Sequence, residues 1–182
     1  YSEKERIYLT ILILLCNEGE LSVYDFTSML QVARTTFLSD LKKVKLKLKL
    51  FNISLQFDRK SGYKLIASEF SKREVMINAI EKILCMDNGR EILKIMFKID
   101  TQVLVNIINS FESVEDELQI ELTGKRIAEL SYIFYFSLVR INLGYVLDTL
   151  PKVFFNVIGT SEYTAIMKLC KEYNIDKLIS NS

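Results

Sequence analysis

The pattern of apolar and polar positions predicts three helices followed by a strand in the first third of the chain. Apolar side chains recur at helical spacing over residues 3–17 and 34–50, and a shorter apolar face follows Ser22. Asp25 stands three residues after Ser22, as in a capping box, which predicts that the second helix begins there. Residues 53–57 alternate between apolar and polar positions, which is typical of a strand. This part of the chain is therefore expected to be helical first and extended afterwards.

A second strand is predicted over residues 62–67, antiparallel to the first, because the intervening "DRKSG" has the composition of a turn. Gly62 supplies the freedom to adopt a positive φ there. Helix, helix, turn, helix and hairpin is the order of a winged helix-turn-helix. The positions expected to face the core are Ile7, Ile11, Leu14, Leu15, Phe26, Met29, Leu30, Val32, Phe37, Leu41, Val44, Leu48, Ile53, Leu55 and Phe57.

The rest of the chain reads as helices, with Ser caps and Gly or Pro breaks between them. The fold class is accordingly mainly α, an N-terminal winged helix-turn-helix with a β-hairpin wing followed by an α-helical bundle. The expected units are residues 1–70 as the winged domain, 71–100 as connecting helices and 101–182 as a helical domain. The helices expected after the hairpin cover residues 68–86, 91–99, 100–118, 123–144 and 161–174.

The segment from Ile133 to Leu147 is apolar nearly all round, which leaves two interpretations. It is either a central helix of the bundle or a helix covered by a second copy of the chain in a homodimer. Arg140 lies inside this segment and needs a carboxylate partner or a route to solvent. A structural salt bridge is favoured there over a ligand site.

Composition excludes several classes of site within these 182 residues. There is no histidine, which excludes a Ser-His-Asp triad and histidine metal ligands, and the three cysteines form no CxxC pair. The acidic run from Glu112 to Leu118 lacks the spacing of an oxygen-ligand metal loop and is interpreted as a solvated face. We expect no catalytic residues, no metal and no cofactor. The apolar run Ile7–Cys16 is too short for a membrane span, so a cytoplasmic protein without membrane contact is expected.

Charge is concentrated in one region of an almost neutral chain. The net charge is +1, yet residues 34–64 hold nine basic and two acidic residues, a net charge of +7. The remainder holds 15 basic and 21 acidic residues, a net charge of −6. This polarity is typical of a basic binding module joined to an acidic partner domain.

The basic region has the residue types expected in a protein that binds double-stranded DNA. In a winged helix-turn-helix the first turns of the third helix face the base edges of the major groove, where arginine can contact guanine and threonine or serine can bond bases or phosphates. Lysines further along the helix and at the wing tip suit phosphates. The alternation of lysines with leucines after Val44 does not indicate any particular function for Lys45, Lys47 and Lys49. The candidate DNA-binding residues are Arg34, Thr35, Thr36, Ser39, Lys42, Lys43, Arg59 and Lys60.

These same residues carry a resemblance to the winged helix-turn-helix of bacterial PRD-containing transcription regulators, which control sugar uptake through the phosphotransferase system. The chain resembles Mga-like virulence regulators, which are built on similar domains, to nearly the same degree. Ala33 replaces the serine usual in that pattern. The matching motifs are Ala33–Thr36, Asp40–Lys42, Gly62–Leu65, and Glu69 followed by Arg73.

The later helices resemble a PRD, a helical regulatory domain, whose signature helix ends like Arg140–Gly144 here. The resemblance implies a homodimer and partners among the phosphotransferase-system proteins, which phosphorylate PRDs on histidine. Tyr132 and Ile133 occupy the region where that histidine is expected, so histidine control cannot operate within this stretch. The sequence starts at tyrosine and ends before the domain's final segment, so a truncated domain within a longer chain is expected.

The sequence favours the hypothesis of a DNA-binding transcription regulator that is not an enzyme. The alternative is a protein-interaction module that uses a winged helix without binding DNA, because the fold alone does not fix function. The +7 region separates the two hypotheses, since a protein-binding winged helix does not need it.

Overall fold

The computed structural model describes residues 1–17, 19–147 and 151–175 of the protein. Three helices and one hairpin come first, in the order that the sequence predicts. They are α1 (Glu3–Cys16), α2 (Val23–Leu30), α3 (Arg34–Lys49), β1 (Ser54–Asp58) and β2 (Gly62–Ile66). The two strands pair antiparallel, with Ser54 opposite Ile66 and Asp58 opposite Gly62.

Local capping explains where the first helices begin. Ser22 and Asp25 form the predicted capping box, with each side chain accepting from the other residue's backbone N–H. Ser2 and Glu5 form a second capping box at the start of α1. Ala33, before α3, offers no side-chain cap. The amides of the first turn of α3 therefore have no side-chain partner at Ala33.

Helices make up the second half of the described chain, as predicted. A short 3-10 helix (Lys152–Val157) that the sequence did not indicate precedes the last of them. The predicted segment 161–174 largely coincides with this last helix, whereas residues 176–182 lie outside the described part. The helices are α4 (Glu69–Leu84), α5 (Gly89–Phe97), α6 (Thr101–Leu118), α7 (Gly124–Asn142) and α8 (Ser161–Glu172).

The main hydrophobic core runs without a break from the winged part into the helical part. Leu9 and Leu12 of α1, Met76 of α4 and Phe136 of α7 are buried in the same cluster. The boundary expected near residue 70 falls at the start of α4, whose buried side packs on α1. A second, smaller cluster joins α6, α7 and α8, so α7 contributes to both.

Two side chains expected in the core are exposed, and the predictions for them were wrong. Met29 is 38% exposed because Phe26 and Leu30, four residues apart, already form the buried line of the short helix α2. Phe57 is 55% exposed because it lies near the wing tip, one residue before the end of β1, where the ring of Tyr63, 4.8 Å away between centroids, is its ring partner.

Arg140 has the carboxylate partner that its burial predicts. Its Nε donates to Glu69 Oε1 at 2.8 Å and its Nη2 to Glu69 Oε2 at 2.6 Å. Its Nη1 donates to the backbone carbonyl of Leu15, in the last turn of α1. Arg73 also donates to Glu69, at 2.6 Å. Arg140 therefore ties the end of α7 to the start of α4 and to the end of α1.

Two glutamates of the acidic run in α6 bond to neighbouring parts of the protein. Glu117 pairs with Lys168 of α8, and Glu115 accepts from the backbone N–H of Leu122. Among the described residues, no group of Cys, Asp and Glu is placed to hold a metal ion. None of the helices in the described part of the chain combines the length and apolarity needed to cross a bilayer.

Candidate nucleic-acid interface

The third helix is fixed in place by one apolar side and one buried ion pair. Phe37, Val44 and Leu48 of α3 are fully buried in the main core. Asp40, 2% exposed, accepts from Arg6 of α1 at 2.7 and 3.3 Å. Because the helix repeats every 3.6 residues, these contacts turn the opposite side of α3 outward.

Seven of the eight candidate DNA-binding residues are exposed. Thr36 is half-buried and lies four residues before Asp40, on the side of α3 that contacts α1. The structure thus leaves the predicted set accessible, with Thr36 the least so. The exposed members are Arg34, Thr35, Ser39, Lys42 and Lys43 on α3, and Arg59 and Lys60 at the wing tip.

The two lysines of α3 that face α1 have partners within the protein. Lys43 Nζ lies 2.6 Å from Glu3 Oε2, and this hydrogen bond, with the lysine's charge, lowers the pKa of Glu3. Lys47 Nζ donates to the hydroxyl of Tyr8 at 3.0 Å and lies over the same ring, 4.7 Å from its centroid. Their charges are therefore partly engaged, whereas Lys42 has no ion pair among the described residues.

An aromatic cluster holds the wing against the start of α3. Phe26 of α2 stacks on Phe37 of α3 at 4.8 Å between ring centroids. The ring of Tyr63, from β2, meets both of them edge-on at 5.9 and 6.4 Å. The charge of Arg34 acts on the phenol of Tyr63, although burial dominates and raises the pKa of that phenol. Arg34 and the base of the wing are therefore neighbours.

A close backbone contact fixes the root of the wing. The N–H of Tyr63 donates to the carbonyl of Leu21 at 2.9 Å. Gly62 has φ of 67°, and a Cβ at this position would lie 2.4 Å from that same carbonyl oxygen. Only glycine combines this left-handed conformation with so close an approach. The sequence predicted the positive φ but not the close contact.

The wing tip is shaped by an aspartate. Asp58 Oδ1 accepts from the backbone N–H groups of Lys60 and Ser61 at 2.8 and 3.0 Å. These two bonds favour the ionised carboxylate and lower the pKa of Asp58 below its usual value. The side chains of Arg59 and Lys60 are exposed at the end of the hairpin.

Two further cations lie on the exposed side of α3 and were not among the candidates. Lys45 and Lys49 are exposed, and with Lys42 they have i, i+3, i+7 spacing, which places them on one stripe of α3. That spacing was the signal that could have identified them. Lys64 is also exposed, but it lies on β2 and not on this stripe. We define the cationic face as the exposed basic residues of α3 together with Arg59 and Lys60 at the wing tip.

The comparisons with known proteins bear on the first part of the chain. No curated protein and no solved structure matches the chain. Residues 1–79 match the family model of the Mga helix-turn-helix domain. The matched residues include α1, α2, α3, the hairpin and the first part of α4. This match supports a Mga-like helix-turn-helix regulator that binds DNA.

Proposed function

We propose that the protein is a DNA-binding transcription regulator that places the start of α3 in the major groove and the wing tip on a neighbouring phosphate. The observation that carries the proposal is the cationic face, with Arg34, Lys42 and the wing tip all accessible. A helix fits the major groove, and arginine near its start is the residue type that most often reads guanine. The proposal assigns the chain no catalytic step.

The uncapped start of α3 supports the same placement. Ala33 gives no side-chain hydrogen bond to the first turn, and Ala33 and Arg34 are both exposed. The free amides and the positive end of the helix dipole favour a phosphate there. In this arrangement the backbone contact positions the helix, while Arg34 and Thr35 read the bases.

The helical half acts, in this proposal, as a PRD-like regulatory and dimerisation domain. The resemblance of α7 to the PRD signature helix supports this role, and phosphotransferase-system proteins are the corresponding partners. Histidine phosphorylation cannot be the route within these 182 residues, since none is histidine. A regulator of this kind works in the cytoplasm, where its DNA lies.

One observation favours the alternative of a protein-interaction module. Leu46 is 68% exposed on the outward side of α3, and Leu50, just after the helix, is 81% exposed. Exposed leucines suit a protein partner better than a phosphate backbone. Because the two functions require different surfaces, mutations of the cationic face and of Leu46 distinguish them.

The test is fluorescence anisotropy with a duplex of random sequence and with a site selected from a random pool, each at two salt concentrations. Lys42→Ala is expected to weaken both complexes and to reduce the salt slope by about one. Arg34→Ala is expected to weaken the selected site more than random DNA, by about 1–3 kcal/mol. Thr36→Ala should also weaken binding to the selected site more than binding to random DNA. Its effect should be smaller than that of Arg34→Ala, because Thr36 is half-buried.

Lys43→Ala and Lys82→Ala serve as graded controls. Lys43 is held by Glu3, so its loss should reduce the salt slope less than the loss of Lys42. Lys82, exposed on α4, should have no effect. Binding that does not depend on salt, or that survives Lys42→Ala and Arg34→Ala unchanged, contradicts the proposal. Loss of a protein partner on Leu46→Ser without loss of DNA affinity would support the alternative.

A further inference from the structure

A cavity of about 420 Å³ lies between the wing and the helical half. Ser61, Tyr63 and Lys64 of the hairpin line one side of it. Lys72 of α4 and Arg140 of α7 line another side. The cavity therefore joins the DNA-binding part to the part proposed as regulatory, and residues of both would touch a molecule bound in it.

The helical side of the cavity carries more positive than negative charge. Lys72, Arg73 and Arg140 cluster around a single carboxylate, Glu69. Arg73 and Arg140 both donate to Glu69, so this carboxylate's oxygens are already shared between two guanidinium groups. The cluster has a net charge of +2 and retains one cation without a carboxylate.

That cation is Lys72. Its ammonium group has no hydrogen bond and no ion pair among the described residues, and Nζ lies 6.0 Å from the centroid of the Tyr145 ring. Burial and then the charge of Arg140 lower the pKa of Lys72, while Glu69 offsets this only in part. A half-buried ammonium in this position is stabilised by an anion.

The wing brings a second cation to the same space. Lys64 lines the cavity from β2 and has no ion pair among the described residues. Glu20 lines the rim with one negative charge. Of the residues that line the cavity, Lys64, Lys72 and Arg140 are positive and Glu20 is negative, so the excess is +2.

We propose that this cavity binds a small phosphate-bearing molecule, whose phosphate lies between Lys72 of the helical half and Lys64 of the wing. The excess charge matches a phosphate dianion, and the hydroxyl of Ser61 adds a neutral donor at the wing side. A volume of about 420 Å³ accommodates more than the phosphate alone. The ligand bridges the two halves and thereby fixes the wing relative to α4. The site does not depend on the proposed DNA-binding function.

Inorganic phosphate is the probe, and the rise in Tm with phosphate concentration gives the apparent Kd. Circular dichroism follows unfolding, and chloride at equal ionic strength provides the baseline. Phosphate should raise Tm above this baseline. Lys72→Gln and Lys64→Gln should each raise the apparent Kd about tenfold, since each removes one charge-assisted hydrogen bond. Both side chains lack a partner that folding requires, so both variants should fold.

Lys82→Gln and Lys42→Gln are the matched controls. Lys82 is exposed on the same helix as Lys72, and Lys42 belongs to the cationic face outside the cavity. Neither should change the apparent Kd. No difference between phosphate and chloride overturns the proposal. So does a phosphate effect that Lys42→Gln abolishes and Lys72→Gln leaves intact, because the anion then binds the cationic face. An effect of only one of Lys72→Gln and Lys64→Gln overturns the bridging geometry.

Discussion

Replacing Arg140 by alanine should destabilise the whole fold, because this side chain joins three helix ends. Its side chain is 2% exposed and holds Glu69, at the first position of α4, through two hydrogen bonds. It also donates to the carbonyl of Leu15, which lies in the last turn of α1, where carbonyls lack partners within the helix. The carboxylate at a helix start and the cation at a helix end both complement the helix dipoles.

The magnitude follows from what remains after the truncation. Removing one partner of a buried ion pair costs about 3–5 kcal/mol. Glu69 keeps its bond from Arg73, which places the loss near the lower limit, about 3 kcal/mol. For a chain of this length, each kcal/mol lowers Tm by about 2–4 °C, so Tm should fall by about 6–12 °C.

The pH dependence of the loss identifies its electrostatic origin. Burial alone raises the pKa of Glu69, but the hydrogen bonds from Arg140 and Arg73 outweigh it, so the pKa lies below its usual value of 4.5. A lowered folded-state pKa gives stability that is complete above the unfolded pKa and is lost as pH falls through the folded one. The difference in unfolding free energy between wild type and Arg140→Ala should thus be constant near neutral pH and shrink in acid.

Urea unfolding followed by circular dichroism, at neutral pH and below pH 4.5, measures this difference. Lys125→Ala is the control, because Lys125 lies on the same helix with its side chain 67% exposed and should change stability by less than about 0.5 kcal/mol. Arg140→Lys, which keeps the charge but not the two-pronged geometry, should fall between wild type and Arg140→Ala. A loss below about 1 kcal/mol for Arg140→Ala, or a loss that does not change with pH, would refute the reasoning.

Two further predictions test the packing around the wing and the cysteines. Gly62→Ala should cost at least about 2 kcal/mol in urea unfolding, because it combines a φ of 67° with a contact of 2.4 Å to the Leu21 carbonyl. Gly124→Ala, which meets nothing within 4 Å, should be harmless, and equal stability of the two variants would contradict this account. At pH 8, a disulfide reagent should modify exposed Cys85 quickly and Cys16 slowly, since burial raises the pKa of Cys16 to about 12. Cys85→Ser should remove the fast phase, and persistence of that phase would contradict this account.

The sequence alone determined the features that depend on near neighbours. The Ser22–Asp25 capping box and the alternation after residue 52 are readable because their causes lie within a few residues. The concentration of charge in residues 34–64 is equally local, and it pointed to the exposed side of α3. The mainly α fold with a winged N-terminal part followed from these signals.

Only the tertiary structure decided which of the similar side chains are free. Lys42 and Lys43 are adjacent in sequence, yet Lys43 is held by Glu3, forty positions earlier, because α1 packs along one flank of α3. The position of Arg140 within an apolar helix predicted a carboxylate partner for it. That partner, Glu69, lies 71 positions away, and only the packing of α7 on α4 identified it. Such choices depend on the relative placement of whole helices, which is set by the summed burial of many apolar side chains and not by any local pattern.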